Sequence, residues 1–442
     1  MYPPKEVSEL RNISGLLNLD KITEKILGEL IVADTKHNID VTQYGNQPKT
    51  SIQHYLVNML HEVLISLDKS NNAAVILSMI DWKEAFPRQC PKLGIEAFMK
   101  LGVRPCLLPI LVNFFQDRTM QVKWHGILSA IRTLKGGGPM GSTLGLLEYI
   151  MQSNDNSDDL KSSEKFKFID DLSILEVICL LSIGIASFNC KAEVPNDIGI
   201  GDCFIPAENL KTQAHINKIC EWTTQNKMML NHKKSNLMIF NNSKKMKVKT
   251  RIQMNGVNLQ IVDSAKLLGT IITSDLKWEK NTAELVKKGN CRLQILRKAK
   301  KYTTDYSDLK TIYIAYVRSI IEQSAVVWHS SLTQENSLDI ERIQKGAVRN
   351  ILGENFVDYE RGLDTLNLQS LSERREKLCL NFAQNCKNNP KTKQHFRILM
   401  KKHIMQTRKG NKYEIDFAKK KRFKSSTIPY SQNLLNEHEL AK

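Results

Sequence analysis

The sequence lacks the features that mark secreted or zinc-binding chains. Its nine cysteines are odd in number and never fall in Cys-x-x-Cys spacing. Cys379, Cys386 and His395 follow one another at distances that do not fit a zinc knuckle. No secretory signal is recognisable near the N-terminus. We therefore expect buried or free thiols in a reducing compartment, in a chain that is intracellular (nuclear or cytoplasmic) and not secreted.

An apolar run long enough to cross a bilayer is also missing. The best candidate, residues 174–186, is short and is interrupted by Glu176, so we expect a buried helix there and no membrane partner. Residues 191–206 are rich in Asn, Gly, Asp and Pro, which predicts a surface loop before a helix that carries Trp222.

Acidic residues are too few to balance the basic ones. Lys and Arg number 64 against 46 Asp and Glu, a net charge of +18 that favours a polyanionic partner. Residues 387–424 hold fourteen Lys or Arg and two acids, a balance of +12. Aromatic residues are interspersed there, namely Phe396, Tyr413, Phe417 and Phe423. This mixture predicts binding to phosphates and unpaired bases. A nuclear-localisation patch at 419–422 and a solvated, partly disordered extension are the alternatives.

The most informative segment is Phe168-Ile169-Asp170-Asp171. Apolar side chains alternate before and after the acidic pair, which predicts two short strands joined by a turn. Two adjacent aspartates repel each other at a hairpin tip unless a divalent cation such as Mg²⁺ binds there. Taken alone, a solvated acidic turn would be the simpler interpretation.

Two upstream segments favour the metal-binding interpretation. Ala73 to Ile80 is a nearly continuous apolar run, typical of a buried strand, and Asp81 follows it at the sheet edge. Residues 134–145 contain five glycines and a proline, and a helical pattern begins after Ser142. A carboxylate at a strand end, a glycine-rich loop and a carboxylate pair on a hairpin suit two-metal phosphoryl transfer.

In this order the segments resemble the reverse transcriptases of non-LTR (LINE-type, jockey-like) retrotransposons, from about Pro3 to the last residues. The matching segments are residues 10–14, 43–45, 81–86, 137–145, 168–171, 230–235, 265–269 and, in the thumb, 312–328 followed by 341–349. The resemblance implies an α+β right-hand polymerase with fingers, an antiparallel-sheet palm and a helical thumb. It also implies an RNA template, a DNA primer and deoxynucleotides as partners, and it leaves protein partners open.

The resemblance implies roles for individual residues. Asp81, Asp170 and Asp171 would be the catalytic residues and the ligands of two Mg²⁺ ions, with Mn²⁺ as an alternative. The residues that would bind the nucleotide are Arg11, Phe86, Gly141 and Lys234. The primer grip would include Leu268 and Gly269. The residues expected to hold the nucleic-acid backbone are Arg292, Arg297, Lys298, Lys300 and Lys301.

Phe86 occupies the position of the family's steric gate. A ring beneath the incoming sugar leaves no room for a 2′-hydroxyl and therefore favours deoxynucleotides. Arg11 suits a bidentate phosphate contact, and Lys234 could neutralise or protonate the leaving pyrophosphate. Outside this context, both would be interpreted as solvated basic residues.

The sequence departs from the family pattern at several positions. Met140 stands where the family usually has Gln, and Pro87 replaces the Asp that commonly follows the gate. Thr143 and Leu146 replace two prolines, and Asn12 replaces the proline after Arg11. None of these changes removes a predicted metal ligand.

The landmarks predict the domain organisation. Residues 1–75 would form the fingers, with a helix over 52–67, and residues 76–260 the palm, with fingers and palm helices over 92–130. Residues 261–280 would form the primer-grip hairpin and residues 281–355 the helical thumb. In the thumb, Tyr313, Tyr316, Ile320 and Ile321 are expected to form a buried stripe. Residues 356–442 would be a basic, helical and partly disordered extension.

The sequence predicts an RNA-directed DNA polymerase. A degenerate or domesticated copy that binds nucleic acid without polymerising, and an RNA-dependent RNA polymerase, are the alternatives. Nothing in the chain resembles an endonuclease or a ribonuclease H, so we expect a reverse transcriptase module that is a fragment or a truncated reading frame.

Overall fold

The apolar run Ala73–Ile80 forms strand β1, at the centre of a five-stranded sheet. The computed structural model of the protein describes residues 13–161, 164–180, 203–242, 248–399 and 412–440. Every residue of β1 except Met79 is buried. The prediction of a strand covered on both faces is therefore confirmed.

Helices and sheets are mixed in the chain, as predicted. The further strands are β2 (Thr119–Met120), β3 (Lys123–Trp124), β4 (Ile127–Leu128), β5 (Arg132–Thr133), β6 (Lys165–Phe168), β7 (Asp171–Cys179), β8 (Cys203–Ile205), β9 (Asn236–Asn241), β10 (Val248–Thr250), β11 (Gln253–Met254), β12 (Val257–Asn258), β13 (Gln260–Ile261), β14 (Ser264–Leu267) and β15 (Thr270–Thr273).

The helices lie between and after these strands. They are α1 (Asn18–Thr35), α2 (Ile52–Lys69), α3 (Pro91–Lys100), α4 (Leu108–Phe115), α5 (Thr143–Gln152), α6 (Lys211–Gln225), α7 (Glu279–Ala299), α8 (Tyr306–Ile312), α9 (Ser319–Ile321), α10 (Ala325–Trp328), α11 (Gln334–Leu352), α12 (Tyr359–Thr365), α13 (Leu371–Cys386), α14 (Lys421–Lys424) and α15 (Thr427–Leu440). The predicted helices over 52–67 and around Trp222 correspond to α2 and α6.

The sheet has the strand order β13-β9-β1-β7-β6. β1 is antiparallel to both neighbours, β7 and β9, and β6 and β7 form the predicted hairpin. Residues 42–44 extend the sheet beyond β6. The N–H of Tyr44 donates to the carbonyl of Lys167 (2.8 Å), and the N–H of Lys167 donates to the carbonyl of Thr42 (3.0 Å).

The two faces of β1 contribute to two different cores. Val75 and Leu77 pack in the cluster that contains α2, the helices after residue 279 and α15. Ala74 and Ile76 point to the opposite face and pack against α6. This alternation follows from the two-residue period of a strand, and it makes β1 the element that joins both halves of the molecule.

A third core lies beside the sheet, among α1, α3, α4 and α5. The prediction of helices over residues 92–130 is correct only to Phe115. Beyond it the chain forms two short strand pairs, β2 with β5 and β3 with β4. Trp124 and Ile127 are exposed at the tip, so apolar content there does not indicate a core helix.

Two predictions on the segment after the acidic pair are wrong in their described part. Ile174 to Cys179 belong to β7 and pair with β1, because their alternating pattern matches the pleat of the sheet; residues 181–186 lie outside the described residues. In the predicted surface loop, residues 191–202 also lie outside them. Cys203–Ile205 form β8, which pairs in parallel with β10.

Residues 281–355 are mainly helical, as predicted, but the expected buried stripe is only partly correct. Tyr313 and Ile321 are fully buried, whereas Tyr316 is 52% exposed and Ile320 half-buried. The cause is a π-helical turn over Tyr313–Arg318. Its wider winding brings every fourth residue to the core, so that Val317 takes the buried place.

The C-terminal extension folds back onto α2. The N–H groups of Lys419 and Lys420 donate to the two carboxylate oxygens of Asp68 (2.9 and 2.7 Å). Three of the four aromatic residues predicted to stack on bases are instead core residues, namely Phe396, Tyr413 and Phe423. Only Phe417 is exposed, at 83%. A hydrophobic cluster explains these rings better than base stacking, and residues 400–411 lie outside the described part.

No disulfide joins the described cysteines, and Cys379 and Cys386 are fully buried. In the described ranges, no helix combines the length and the apolar character that a bilayer crossing demands.

A buried ion-pair cluster holds β6 in place. Lys165 and Lys167, both on β6, each place their ammonium nitrogen 2.9 Å from the carboxylate of Asp40. Burial alone would raise the pKa of Asp40, but the charge of Lys167, the Thr42 N–H and the ammonium hydrogen bonds hold it well below its usual value. The carboxylate is therefore charged at neutral pH and balances two buried cations.

We predict that Asp40→Asn destabilises the protein by about 3–5 kcal/mol, because it leaves two ammonium groups buried without a counter-charge. The measurement is urea unfolding followed by circular dichroism. Asp159→Asn is the control, since Asp159 and Lys218 form a more exposed pair at 3.0 Å; its cost should stay below about 1 kcal/mol. Equal costs for the two variants would contradict the role assigned to Asp40.

Candidate active site

Three aspartates lie at one end of the central sheet. Asp81 follows β1 directly, and Asp171 is the first residue of the neighbouring strand β7. Since Ile80 pairs with Leu172 in this antiparallel register, the next pair along the strands is Asp81 and Asp171. Asp170 precedes it in the turn of the β6–β7 hairpin and is exposed. The structure thus brings together the three carboxylates that the sequence singled out.

The carboxylates influence one another electrostatically. Burial and, to a smaller extent, the negative charges of Asp170 and Asp81 together raise the pKa of Asp171 to about 7. Burial also raises the pKa of the Tyr149 hydroxyl well above its usual value, with added contributions from the same three aspartates. Tyr149 therefore lies close to the carboxylate group from within the core.

The donor set has the chemistry of a site for a hard cation. All three groups are carboxylates, which hard cations prefer as ligands, and burial together with the negative charges of Asp170 and Asp81 raises the pKa of Asp171. In the part of the chain that the structure describes, no three His, Cys, Asp or Glu side chains are already grouped as metal ligands.

The turn between the strands is strained. Ile169 has φ +58°, a left-handed conformation that is unfavourable for a β-branched residue. The side-chain oxygen of Gln43 accepts hydrogen bonds from the N–H of Ile169 (3.0 Å) and from the N–H of Gly45 (2.9 Å). Sequence reasoning assigned no role to Gln43, because its partner lies 126 residues away.

Asp81 is held by the segment that precedes β9. Its N–H donates to the hydroxyl of Ser235 (3.0 Å), and its carbonyl accepts from the N–H of Asn231 (2.8 Å). Lys234, predicted to bind the nucleotide, lies in this turn and is exposed. The structure therefore brings the segment that carries Lys234 beside Asp81.

Phe86 contacts both Tyr149 and the glycine-rich loop. Its half-buried ring stacks on Tyr149, with ring centroids 5.4 Å apart. The N–H of Gly138 donates to the Phe86 carbonyl (2.9 Å). Gly137 has φ +88°, and a Cβ there would lie 2.9 Å from the carbonyl oxygen of Pro87. Glycine is thus required for the loop to approach this segment.

The glycine-rich loop ends at the start of α5, as predicted. The hydroxyl of Ser142 accepts from the N–H of Gly145 (3.1 Å) and donates to the carboxylate of Glu24 (2.9 Å). The same Glu24 oxygen accepts from the N–H of Thr143 (2.7 Å). A carboxylate from α1 therefore caps α5, a contact that no local sequence signal indicates. Gly141, with φ +93°, lies just before this cap.

The predicted nucleic-acid contacts differ in their surroundings. Leu268 and Gly269 form the turn between β14 and β15, so the predicted hairpin is present. Lys300 does not point into a groove, because its ammonium group donates to the carbonyl of Asn350 (2.7 Å) at the end of α11. This contact gives Lys300 a structural role instead of the predicted backbone grip.

The remaining basic candidates on and after α7 are more accessible. Arg297, Lys298 and Lys301 are exposed, and Arg292 is half-buried. Arg11, the predicted fingers arginine, lies outside the described residues.

The chain is similar to curated proteins of Drosophila melanogaster. It is 22% identical over 385 residues to a probable RNA-directed DNA polymerase from transposon BS, covering 84% of this chain and 39% of that protein. It is 21% identical over 289 residues to a probable RNA-directed DNA polymerase from transposon X-element, covering 64% and 29%. It is 31% identical over 157 residues to the RNA-directed DNA polymerase from mobile element jockey, covering 34% and 16%.

These relatives confirm the resemblance to the reverse transcriptases of non-LTR retrotransposons. The chain spans between 16% and 39% of the length of the three relatives. No protein-family model matches the chain.

Solved structures show only distant likeness. The apo telomerase of Candida tropicalis aligns with a TM-score of 0.37 and 11% identity, over 83% of this chain and 58% of that one. The telomerase of Candida albicans in complex with the TWJ fragment of telomeric RNA aligns with a TM-score of 0.37 and 10% identity, over 85% and 57%. A likeness this distant supports no assignment.

We predict that Asp171→Asn stabilises the metal-free protein at pH 8. The pKa of Asp171 in the folded protein, about 7, exceeds its ordinary value of 3.8. The contribution of Asp171 to the free energy of unfolding is therefore fully present below pH 3.8 and is lost as the pH rises through 7. At pH 8 the variant should gain up to about 4 kcal/mol in free energy of unfolding over the unaltered chain, and this gain should shrink towards pH 4. Thermal melting at both pH values measures it. Glu96→Gln, on an exposed position of α3, should have no effect, and a pH-independent gain for Asp171→Asn would contradict the assignment.

Proposed function

We propose that the chain is an RNA-directed DNA polymerase of a mobile element, with the right-hand arrangement of fingers, palm and thumb. The observation that carries the proposal is the meeting of Asp81 and the Asp170–Asp171 turn at one end of the sheet. The Phe86 ring stacks on Tyr149, whose pKa the three aspartates help to raise, and the Phe86 carbonyl accepts from the glycine-rich loop. The polymerase names of the three relatives agree with this chemistry.

Asp81 and Asp170 would hold two Mg²⁺ ions, with Asp171 as a third ligand and Mn²⁺ as an alternative ion. Such ions, when bound, activate a hydroxyl for attack on a phosphate and stabilise the leaving oxygen. The chain's own contribution is to fix the ligands: β1 and Ser235 place Asp81, and the β6–β7 turn places Asp170.

Nucleotide selection would depend on Phe86. Its ring is half-buried against Tyr149, which restricts its movement, and its carbonyl is tied to Gly138. A ring held in this way can exclude a 2′-hydroxyl by steric clash, which supports deoxynucleotides over ribonucleotides. Lys234, exposed beside Asp81, would neutralise charge on the triphosphate or the leaving pyrophosphate.

An RNA template and a DNA primer would be the macromolecular partners. The net charge of +18 supports a polyanionic ligand. Arg297, Lys298 and Lys301 are exposed along the C-terminal part of α7 and the turn after it. These side chains suit contacts with phosphates, which fix position without reading sequence.

We predict that Asp170→Ala abolishes primer extension on an RNA template with Mg²⁺ and deoxynucleotides. Loss of a metal ligand removes several kcal/mol of transition-state stabilisation, which corresponds to a fall in the extension rate of about 1,000-fold or more. Duplex binding should persist, because the substitution shortens only one exposed side chain in a turn.

Glu96→Ala is the control for this substitution, since it removes the same charge from a distant exposed position. Extension by the Asp170 variant would overturn the metal-site proposal. Binding of primer–template without extension by the unaltered chain would favour the non-polymerising alternative.

We predict that Phe86→Ala relaxes discrimination against ribonucleotides by roughly 10- to 200-fold, the range that steric selection in a pocket supplies. The measurement compares kcat/KM for a deoxynucleotide and its ribonucleotide. Phe204→Ala is the control, because Phe204 is a half-buried phenylalanine on β8. Unchanged selectivity would remove the gate assignment. Ribonucleotide preference in the unaltered chain would instead favour an RNA polymerase.

A further inference from the structure

We propose that residues 389–395 of the C-terminal extension position the turn that carries Asp170, acting through Lys391 and Gln43. Both are positioning residues, since neither is placed to touch a nucleotide. This inference deepens the proposed function and rests on it for its kinetic part.

The first step is the strain in the turn. A β-branched residue in a left-handed conformation is unfavourable by about 1–3 kcal/mol and persists only where its surroundings enforce it. Ile169, at φ +58°, is such a residue, and Asp170 follows it directly. The turn therefore needs an external support to keep the carboxylate of Asp170 in one place.

Gln43 supplies that support. One side-chain oxygen accepts from the N–H of Ile169 and of Gly45, at 3.0 and 2.9 Å. Gln43 is buried, with an exposed fraction of 2%, so its side chain is confined. A Cβ on Gly45 would lie 2.6 Å from the nitrogen of Ile169. The backbone of residues 43–45 is thus packed directly against the strained turn.

Lys391 holds Gln43 from the other side. Its ammonium group donates to the main-chain carbonyl of Gln43 and lies 4.9 Å from the centroid of the Tyr44 ring. Burial lowers the pKa of Lys391 to about 8. An amine in such a place is costly for stability, and that cost is understandable if it fixes residues 43–45.

Neighbouring side chains fix the segment that carries Lys391. The amide of Asn389 donates to the carbonyl of Lys49 (2.6 Å). The amide of Asn58, on α2, donates to the hydroxyl of Tyr44 (2.7 Å), and its oxygen lies 3.1 Å from a ring nitrogen of His395. Residues 389–395 therefore contact both ends of the 43–49 segment, although they lie about 350 positions later in the chain.

The competing explanation is that Lys391 only stabilises the fold. In that case its loss would lower overall stability, whereas the loss of a positioning residue would affect the turn and the catalytic step specifically. Lys393 provides a matched control, since it is exposed, lies two residues away and carries the same charge. Lys391→Met and Lys393→Met change the net charge equally, so any shared loss of nucleic-acid affinity cancels.

The first measurement is hydrogen exchange of the full chain without nucleotide or metal. Lys391→Met should speed exchange of the Ile169 and Gly45 amides, while Lys393→Met should not, because only the former contacts Gln43. Lys391→Arg keeps a donor and should restore protection. Equal exchange in the two Met variants would overturn the inference, and this readout does not depend on activity.

The second measurement is steady-state primer extension. Lys391→Met should lower kcat by about 10- to 100-fold, as expected for a small misplacement of a reacting group. The KM for deoxynucleotide should stay the same, and the Mg²⁺ concentration for half-maximal rate should rise. A change in KM alone, or a loss equal to that of Lys393→Met, would contradict the inference.

A second variant covers the case in which Lys391→Met fails to fold. Gln43→Met removes the acceptor for the Ile169 N–H without a change of charge, and it should give the same exchange and kinetic changes. If both single variants fold, their effects should be less than additive in the double variant, because they act on one turn. Additive effects would show independent roles. An inactive unaltered chain would overturn the proposed polymerase, whereas the exchange experiment would still decide the role of Lys391.

Discussion

The electrostatic repulsion among three carboxylates at one end of the sheet is the constraint on which the rest of the structure depends. Burial, and after it the negative charges of Asp170 and Asp81, raise the pKa of Asp171. Holding like charges together lowers the stability of the fold, and contacts in the surrounding structure must offset this loss. The doubly buried strand β1, the Asp40 ion-pair cluster on β6 and the Gln43 contact to Ile169 all stabilise the same end or its hairpin.

The sequence was sufficient where the decisive pattern is local. The continuous apolar run of β1, the alternating residues beside the acidic pair and the Ser142 cap each determine one element, and all three are present. Local patterns failed where tertiary contacts choose between alternatives. The π-helical turn replaced Tyr316 by Val317 in the core, and the docking of the C-terminal extension on α2 turned three predicted stacking rings into core residues.

The site residues divide in the same way. The three aspartates were recognisable because their positions relative to strand ends follow from hydrophobic patterning. Residues 43–45 were matched to a family segment, but the roles of Gln43, Glu24 and Lys391 were not recognisable, because each acts on a partner more than a hundred positions away. A buried polar residue carries no sign of its partner in a single sequence, so residues that orient a site are harder to find than the residues that form it.

Contacts of this chain account for two of the departures from the family pattern, those at Thr143 and Leu146. A proline at position 143 would have no N–H, whereas Thr143 donates its N–H to Glu24 (2.7 Å), and Leu146 donates to the carbonyl of Ser142 (3.3 Å). Met140 contributes its main-chain carbonyl, which accepts from the N–H of Ser14 (2.9 Å), and any residue can supply that group. Thr143 and Leu146 therefore donate hydrogen bonds that a proline could not, and the first turn of α5 uses both of them.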